Sequence, residues 1–268
     1  MTELPRHPFV DVHCHLLPGI DDGSDSWQET LAMARMAVND GIRTIVVTPH
    51  QLGNFAHNTG DKIRLLTQDV QNFLDENDVP LRLFPGGDVR IEEGLVDRLQ
   101  DGSVLTLADR RKHVLLELPH ELYFPLDRLL KQLKSAGMVG VLSHPERNQG
   151  LLSRPQLLEQ IVDQGCLLQI TAGSLCGTFG GPSQQLSEWA IRQGLVHFVS
   201  TDAHGARARR PLLGRAFEIV AGLAGLDTAI DLCSRNPSLI ADGKQVPPGN
   251  RSKSNQGRWG WFSWRKAG

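Results

Sequence analysis

The sequence predicts an α/β fold, a single domain built as a (β/α)7 barrel. Three observations carry that expectation. Seven short apolar stretches are spread along the 268 residues, each bounded by turn-forming residues. Such runs read as buried parallel strands. Helical patterns lie between them, and repeated strand–helix alternation closes right-handed onto a parallel sheet. Each stretch also runs into polar, metal-competent side chains, and α/β sheets and barrels assemble their sites at the carboxyl ends of strands.

Taken in order, Phe9-Val10-Asp11-Val12 leads into His13 and His15. Asp25-Ser26 followed by Glu29 resembles a capping box, Trp27, Leu31, Ala34 and Val38 recur at helical spacing, and Gly41 is placed to stop that helix. Thr44-Ile45-Val46-Val47 leads into His50, with a helical pattern near 60–77. Leu81-Arg82-Leu83-Phe84 leads into Asp88, with a helix near 91–100. Val114-Leu115-Leu116 ends in Glu117 and precedes a helix near 125–136. Val139-Gly140-Val141-Leu142 ends in His144 and precedes one near 154–164. Cys166-Leu167-Leu168-Gln169-Ile170 runs into Thr171 and Ser174, then a helix near 183–193. Phe198-Val199-Ser200 runs into Asp202 and His204, then a helix near 211–224. Asn236-Pro237 opens a last short helix.

Asp242 is the last acidic residue, so the domain is drawn as 1–242. Residues 243–268 hold six Lys or Arg together with Trp259, Trp261, Phe262 and Trp264. That segment is expected to be a flexible tail, or to touch a partner subunit or an anionic membrane surface.

A formal net charge of −2 gives no global basic field, which argues against nucleic acid as a partner. No apolar run reaches the ~20 residues of a membrane-spanning helix. The opening Met-Thr-Glu-Leu-Pro-Arg lacks an apolar signal core, so the expected location is the cytoplasm. Cys14, Cys166, Cys176 and Cys233 are scattered, without a Cys-x-x-Cys pair. They read as small buried hydrophobes rather than as a disulfide framework or a zinc ribbon.

On a strand, His13 and His15 share a face about 7 Å apart, with Cys14 on the other. A lone His-x-His is weak. Here Thr48-Pro49-His50, Ser143-His144-Pro145-Glu146-Arg147 and Thr201-Asp202-Ala203-His204 join it, and Asp88, Glu117 and Asp202 add carboxylates. Such a His-rich set with bridging carboxylates suits manganese, iron or zinc better than magnesium. Paired divalent ions polarise a phosphoryl oxygen and generate hydroxide near neutral pH, so hydrolysis of a phosphoester is expected. His7, His57, His113, His120 and His197 are read as non-ligands, although His57 and His120 lie in loops on the site face.

Arg147, Arg209 and Arg210 are candidate phosphate binders, with surface salt bridges as the competing reading. In Pro18-Gly19-Ile20-Asp21-Asp22-Gly23, turn chemistry accounts for one Asp. The other, taken as Asp22, is an outer ligand or a proton donor to the leaving group. Thr171-Ala172-Gly173-Ser174 either lines a phosphate site through backbone N–H groups or forms a tight turn. No cysteine is followed by arginine six positions on, and the nucleophile elbow, the Walker loop and the dinucleotide fingerprint are missing. Thiol-based catalysis is therefore not expected.

The run His13-Cys14-His15-Leu16-Leu17-Pro18-Gly19-Ile20-Asp21-Asp22-Gly23 resembles the opening motif of the bacterial polymerase-and-histidinol-phosphatase (PHP) type tyrosine phosphatases. The likeness continues through Gly41-Ile42-Arg43-Thr44-Ile45, Thr48-Pro49-His50, Pro85-Gly86-Gly87-Asp88, Leu116-Glu117-Leu118-Pro119, His144-Pro145-Glu146-Arg147, Thr171-Ala172-Gly173-Ser174 and Asp202-Ala203-His204. It covers roughly residues 9–240.

The resemblance implies a distorted, TIM-like seven-stranded barrel with two or three divalent ions, manganese foremost. It implies hydrolysis of phosphotyrosine on a cognate bacterial tyrosine kinase that governs capsule and exopolysaccharide synthesis. By motif, His13, His15, His50, Asp88, Glu117, His144, Asp202 and His204 are carried over as metal ligands. Arg147 and one of Arg209 or Arg210 are carried over as phosphate binders. The third strand of that family usually ends in Glu, where this chain has Asp88. Two alternatives stand beside this reading: a small-molecule phosphatase on the same scaffold, acting for example on histidinol phosphate, and a non-catalytic metal-bound module that binds the kinase.

Overall fold

The structure, a computed structural model, describes residues 7–249. Its parallel strands are β1 (Phe9–Cys14), β2 (Ile42–Val47), β3 (His50–Gln51), β4 (Arg82–Pro85), β5 (Asp88–Arg90), β6 (His113–Glu117), β7 (Val139–Leu142), β8 (Leu167–Thr171) and β9 (Phe198–Ser200). They form a three-stranded sheet, β1-β2-β4, and a six-stranded sheet, β3-β5-β6-β7-β8-β9. The two are connected by short interruptions. Pro49 and Pro85 lack an N–H for the ladder, and β3 and β5 resume pairing just beyond them, His50 opposite Asp88. Gly87 is required at the second break, because a Cβ there would lie 2.4 Å from Gln51 Oε1.

The sheet curls until its ends approach. His15 N donates to Ala203 O (2.9 Å) and Asp202 N to His13 O (2.8 Å), joining the tip of β1 to the segment after β9. The result is one α/β domain with a curled parallel sheet, a half-barrel, with helices packed outside it. Val10, Val12, Val46, Leu115, Val141 and Phe198 form one apolar layer, closed by Leu107 and Ile240. Cys14, Ile45, Val47, Leu116 and Leu142 face the helices, against Met33, Ala37 and Leu133.

The helices Trp27–Asn39, Gly60–Glu76, Leu95–Asp101, Asp127–Ser135, Leu157–Asp163, Gly181–Arg192 and Gly214–Ala224 occupy the expected stretches, and Asn236–Ala241 closes the set. Ser26 caps the first of them by accepting from Glu29 N at 3.2 Å. The capping box is only half made. Glu29 Oε1 accepts instead from Ala206 N, at 2.8 Å, which ties this helix to the loop after β9. Gly41 ends the connection with φ +102°, a conformation open to glycine.

Cys14, Cys166 and Cys233 are buried and Cys176 is exposed, so the expectation of four buried thiols holds for three. Val246 packs in the inner layer, so the described chain stays attached past Asp242. The remainder of the expected tail, 250–268 with all its Trp residues, lies outside the described residues. No helix among the described residues is long and apolar enough to cross a membrane.

Candidate metal centre

The eight candidate ligands converge at the carboxyl ends of the strands. Groups of side chains whose donor atoms all lie within 4.8 Å of one another are His13/His15/Asp88, His13/His144/Asp202, His50/Asp88/Glu117 and His15/Asp22/His50/His204. The groups share members, so this is one continuous cluster. His13 Nε2 lies 3.3 Å from Asp202 Oδ1 and 3.6 Å from Asp88 Oδ2. His50 Nδ1 lies 3.4 Å from Asp88 Oδ2 and 3.5 Å from Glu117 Oε2. His144 Nε2 is 4.0 Å from Glu117 Oε1.

Local backbone features set this convergence. The β1–β2 register shifts between Asp11 and Cys14, a bulge-like irregularity of the kind that re-aims side chains next to active sites. Asp11, buried beneath it, accepts from His13 N (3.2 Å), Thr201 N (3.1 Å) and Thr201 Oγ1 (2.5 Å). His144 (φ +30°), Asp202 (φ +50°) and Arg209 (φ +49°) hold the left-handed conformation that side chains disfavour. Such strain persists where surrounding contacts impose it, and it concentrates at functional sites.

Three imidazoles are oriented through Nδ1. His13 Nδ1 meets Gln169 Oε1 at 2.9 Å, His15 Nδ1 meets Asp21 Oδ2 at 2.7 Å and His204 Nδ1 meets Asp202 O at 3.0 Å. All three partners are acceptors, so Nδ1 keeps its proton and Nε2 is the nitrogen turned to the cluster. His144 N also donates to Gln169 Oε1, at 3.3 Å, which fixes the amide orientation.

The electrostatics are those of acids and imidazoles forced together. Burial lowers His13, but the charges of Asp202 and Asp88 outweigh it and lift this imidazole to about 9. Burial likewise lowers His50, but the carboxylates of Asp22, Asp88 and Glu117 outweigh it and lift this imidazole to about 11. Burial dominates for His15, pushed down to about 4, and for His144, pushed down to about 3. Glu117 is pushed up to about 7 by burial and by Asp88. Asp202 is held well below the usual carboxylate range by His13, His144 and Arg209, against burial that pushes it up.

A divalent cation suits this donor set. Asp88 is fully buried, yet neither of its carboxylate oxygens accepts a hydrogen bond. A buried carboxylate with empty lone pairs, aimed among imidazole nitrogens, has the character of a metal ligand.

Arg147 Nη1 and Arg209 Nη2 both reach Asp202 Oδ2, at 2.6 and 2.5 Å. Arg210 is exposed and pairs with no site residue, so of the doubled arginines the structure brings Arg209 to the cluster. Asp22, more than half exposed, lies 3.4 Å from His50 Nε2 and 3.5 Å from His204 Nε2. The two imidazoles beside it hold its carboxyl far below the usual carboxylate range. The Thr171–Ser174 segment ends β8 and opens the short helix Ala172–Leu175, held by Glu146, whose Oε1 accepts from Thr171 N (3.0 Å) and Ser174 Oγ (2.7 Å). His120 stacks on His144 with centroids 5.7 Å apart, and His57 stays in the outer loop, near Phe55.

Sequence reasoning missed Asp21, Gln169, Asp11 and Glu146. Gln169 had a readable signal, a polar residue in the middle of an apolar strand. Asp21 was treated as turn chemistry, and it does accept from Gly23 N at 3.0 Å while also orienting His15.

Fold and cluster together define the class, an α/β half-barrel with a candidate polynuclear metal centre at the strand tips. The chain matches the family described as "Capsular polysaccharide synthesis, CpsB/CapC" over residues 9–242, and it belongs to that family. It is 36% identical over 203 residues to the tyrosine-protein phosphatase YwqE of Bacillus subtilis (strain 168), covering 75% of this chain and 79% of that one. It is 26% identical over 237 residues to the tyrosine-protein phosphatase CpsB of Streptococcus pneumoniae, covering 87% and 98%. Among solved structures it resembles that of YwqE and CpsB, described as unique metal-dependent tyrosine phosphatases, with TM-score 0.86 and 32% identity, covering 91% of this chain and 99% of that one. A Listeria monocytogenes lactonase, with TM-score 0.55 and 14% identity over 90% and 96% of the chains, shares the fold alone.

Proposed function

We propose that this chain is a metal-dependent protein-tyrosine phosphatase that acts on a cognate bacterial tyrosine kinase in capsule or exopolysaccharide synthesis, within the cytoplasm. The observation that carries the reading is the shared cluster of histidines and carboxylates, with the uncapped Asp88 at its centre. His13, His15, His50, Asp88, Glu117, His144, Asp202 and His204 are assigned as ligands of two or three divalent ions, with Asp22 as an outer ligand. The His-rich set favours manganese, with iron or zinc as the other fitting ions. We also take β2 with β3, and β4 with β5, as single interrupted strands, which gives the (β/α)7 count.

The bound ions would supply polarisation of a phosphoryl oxygen and a hydroxide nucleophile near neutral pH. The protein supplies the rest. Gln169 and Asp21 hold His13 and His15 in the tautomer that presents Nε2. Arg147 and Arg209 both pair with Asp202 Oδ2 at the edge of the cluster, and these two guanidiniums are assigned to the phosphate oxygens of the substrate. Asp22, beside His50 and His204, is placed to serve as an outer ligand or to protonate the leaving group. A phenol, with a pKa of about 10, leaves as phenolate more readily than an alkyl alcohol does, which fits a tyrosine substrate.

The test is phosphate release from a phosphotyrosine peptide and from histidinol phosphate by chelated and then manganese-loaded protein. Manganese-dependent turnover of the peptide is expected. Turnover of histidinol phosphate alone would move the protein to the small-molecule class, and peptide binding without phosphate release would make it a binding module.

A further inference from the structure

Phe179 lies in the loop between the short helix Ala172–Leu175 and the helix Gly181–Arg192, between Gly177 and Gly180, both at positive φ. Its ring lies 4.3 Å from the Arg147 guanidinium carbon and 5.9 Å from that of Arg209. The ring is also packed on Gly173, where a Cβ would come within 3.0 Å of Phe179 Cε2. Thr178 N donates to Gly173 O at 2.9 Å and holds the loop in place. One aromatic side chain is therefore wedged between the turn after β8 and the two arginines that meet at Asp202 Oδ2.

A guanidinium stacks through its face and donates through its edge. A ring set against the face limits rotation without competing for the N–H groups. We propose that Phe179 is a positioning residue of the anion clamp, holding Arg147 and Arg209 with their N–H edges turned to one point so that they bind a phosphoryl oxygen as a pair. The proposal rests on the reading of these arginines as phosphate binders. It names a residue outside the metal cluster, more than thirty positions from Arg147, whose role is orientation. A half-buried phenylalanine that only filled space would be replaced by leucine with little effect on anion binding.

The experiment uses the full chain loaded with manganese, with inorganic phosphate as competitive inhibitor and a phosphotyrosine peptide as substrate. Phe179→Leu is expected to weaken phosphate inhibition about 5- to 30-fold, the effect of losing two cation–π contacts of ordinary strength. KM for the peptide should rise in parallel, and the manganese concentration giving half-maximal activity should stay unchanged. Phe179→Tyr should restore phosphate binding. Gly173→Ala should reproduce the Leu defect in milder form, because its methyl group displaces the ring. Should Phe179→Leu fail to fold, the Tyr and Gly173→Ala variants carry the comparison alone.

Arg147→Lys and Arg209→Lys supply the control. If both weaken phosphate inhibition while the Phe179 and Gly173 variants bind phosphate like the parent, the positioning role is overturned and the clamp stands. If neither Lys variant weakens it, the clamp falls, and the role of Phe179 falls with it.

Discussion

The half-barrel buries histidines at both ends of its strands, and the two ends use them in opposite ways. At the carboxyl-end rim, His13, His15 and His204 give Nδ1 to oxygen acceptors and turn Nε2 to the ligand cluster. At the amino end, His197 Nδ1 accepts from Leu168 N at 3.1 Å, so its proton lies on Nε2 and its lone pair is already taken. His113 is buried nearby, and no carboxylate raises it. Burial is equally complete for His13, His113 and His197, at 0%, 1% and 1% exposure, so it does not separate ligand from core. What separates them is the partner of Nδ1 and the company of shared carboxylates. Position along the strand follows: His113 opens β6 and His197 directly precedes β9, whereas His13 and His15 flank the last residue of β1 and His204 lies beyond β9.

The largest test of the contrast is deletion at each end. His13→Ala with His15→Ala should reduce kcat/KM for phosphotyrosine peptide by about three orders of magnitude or more, the scale of losing a group acting only through the transition state. His197→Ala should leave turnover per folded molecule within about twofold. It should lower stability by about 2–3 kcal/mol, through the orphaned Leu168 N–H and the cavity. Steady-state kinetics beside thermal melts read both. Comparable loss of activity from the two ends would erase the distinction.

A smaller effect is expected one contact away from the ions. Asp21→Asn leaves the loop nearly isosteric but weakens the acceptor for His15 Nδ1. Gln169→Leu removes the acceptor for His13 Nδ1. Each should raise the manganese concentration for half-maximal activity about 10- to 100-fold, the range for partners that orient ligating histidines. Calorimetric titration of chelated protein measures it directly, and unchanged affinity in both variants would remove Nδ1 orientation as the cause of the contrast.

How much of this was legible follows from what a linear pattern can record. The rim could be read because apolar strands end abruptly in His, Asp or Glu, and strand ends on one side of a parallel sheet meet. The breaks after Val47 and Pro85 could not, because period and composition stay strand-like across them. The irregularity in β1 is invisible to a period-2 reading, although it decides which way Asp11 faces relative to His13. Asp21 against Asp22, and Arg209 against Arg210, are choices between neighbours in loops. They were settled only by backbone geometry, such as the φ of +49° at Arg209. Phe179 gave no signal at all, since its contacts with Gly173 and Arg147 exist only after the chain has folded.

The contrast also has a pH signature. His113 and His197 are pushed down to about 4 by burial, below the ordinary value near 6.5. Each folds only in its neutral form. Their share of stability is therefore intact above pH 6.5 and is lost as pH falls from 6.5 toward 4, by roughly 2 kcal/mol per imidazole at pH 5. His13 and His50 in chelated protein have the reverse sign. Lifted to about 9 and about 11, they stabilise below pH 6.5, and that contribution is lost as pH rises through those values. Manganese must displace the same protons, so its affinity should increase from pH 6 to 9. His197→Asn offers the cleanest reading, because Asn Oδ1 can take the Leu168 N–H where Nδ1 did and does not titrate. Urea melts between pH 6.5 and 5 should show a shallower fall in stability for that variant than for the parent. An identical slope would mean that the amino-end imidazole is protonated in the fold after all.

The smallest effect is expected between two faces of a single strand. Cys14 stands between His13 and His15, yet its side chain packs with Met33, Ala37 and Val47 under the helices. Burial pushes its thiol well above the ordinary range, and Cys14 is in none of the groups of converging donor atoms. Cys14→Ala should lower stability by about 1 kcal/mol, the loss of one buried sulfur with partial relaxation of the packing. Manganese affinity and kcat should match the parent, since the backbone that carries both histidines is held independently, by Thr48 Oγ1 on Cys14 N and by Asp11 on His13 N. A large change in metal affinity from this one methyl-sized substitution would show that the two faces of β1 are mechanically coupled. The separation of core from centre, set by Nδ1 partners and shared carboxylates, would then need the strand itself as a third participant.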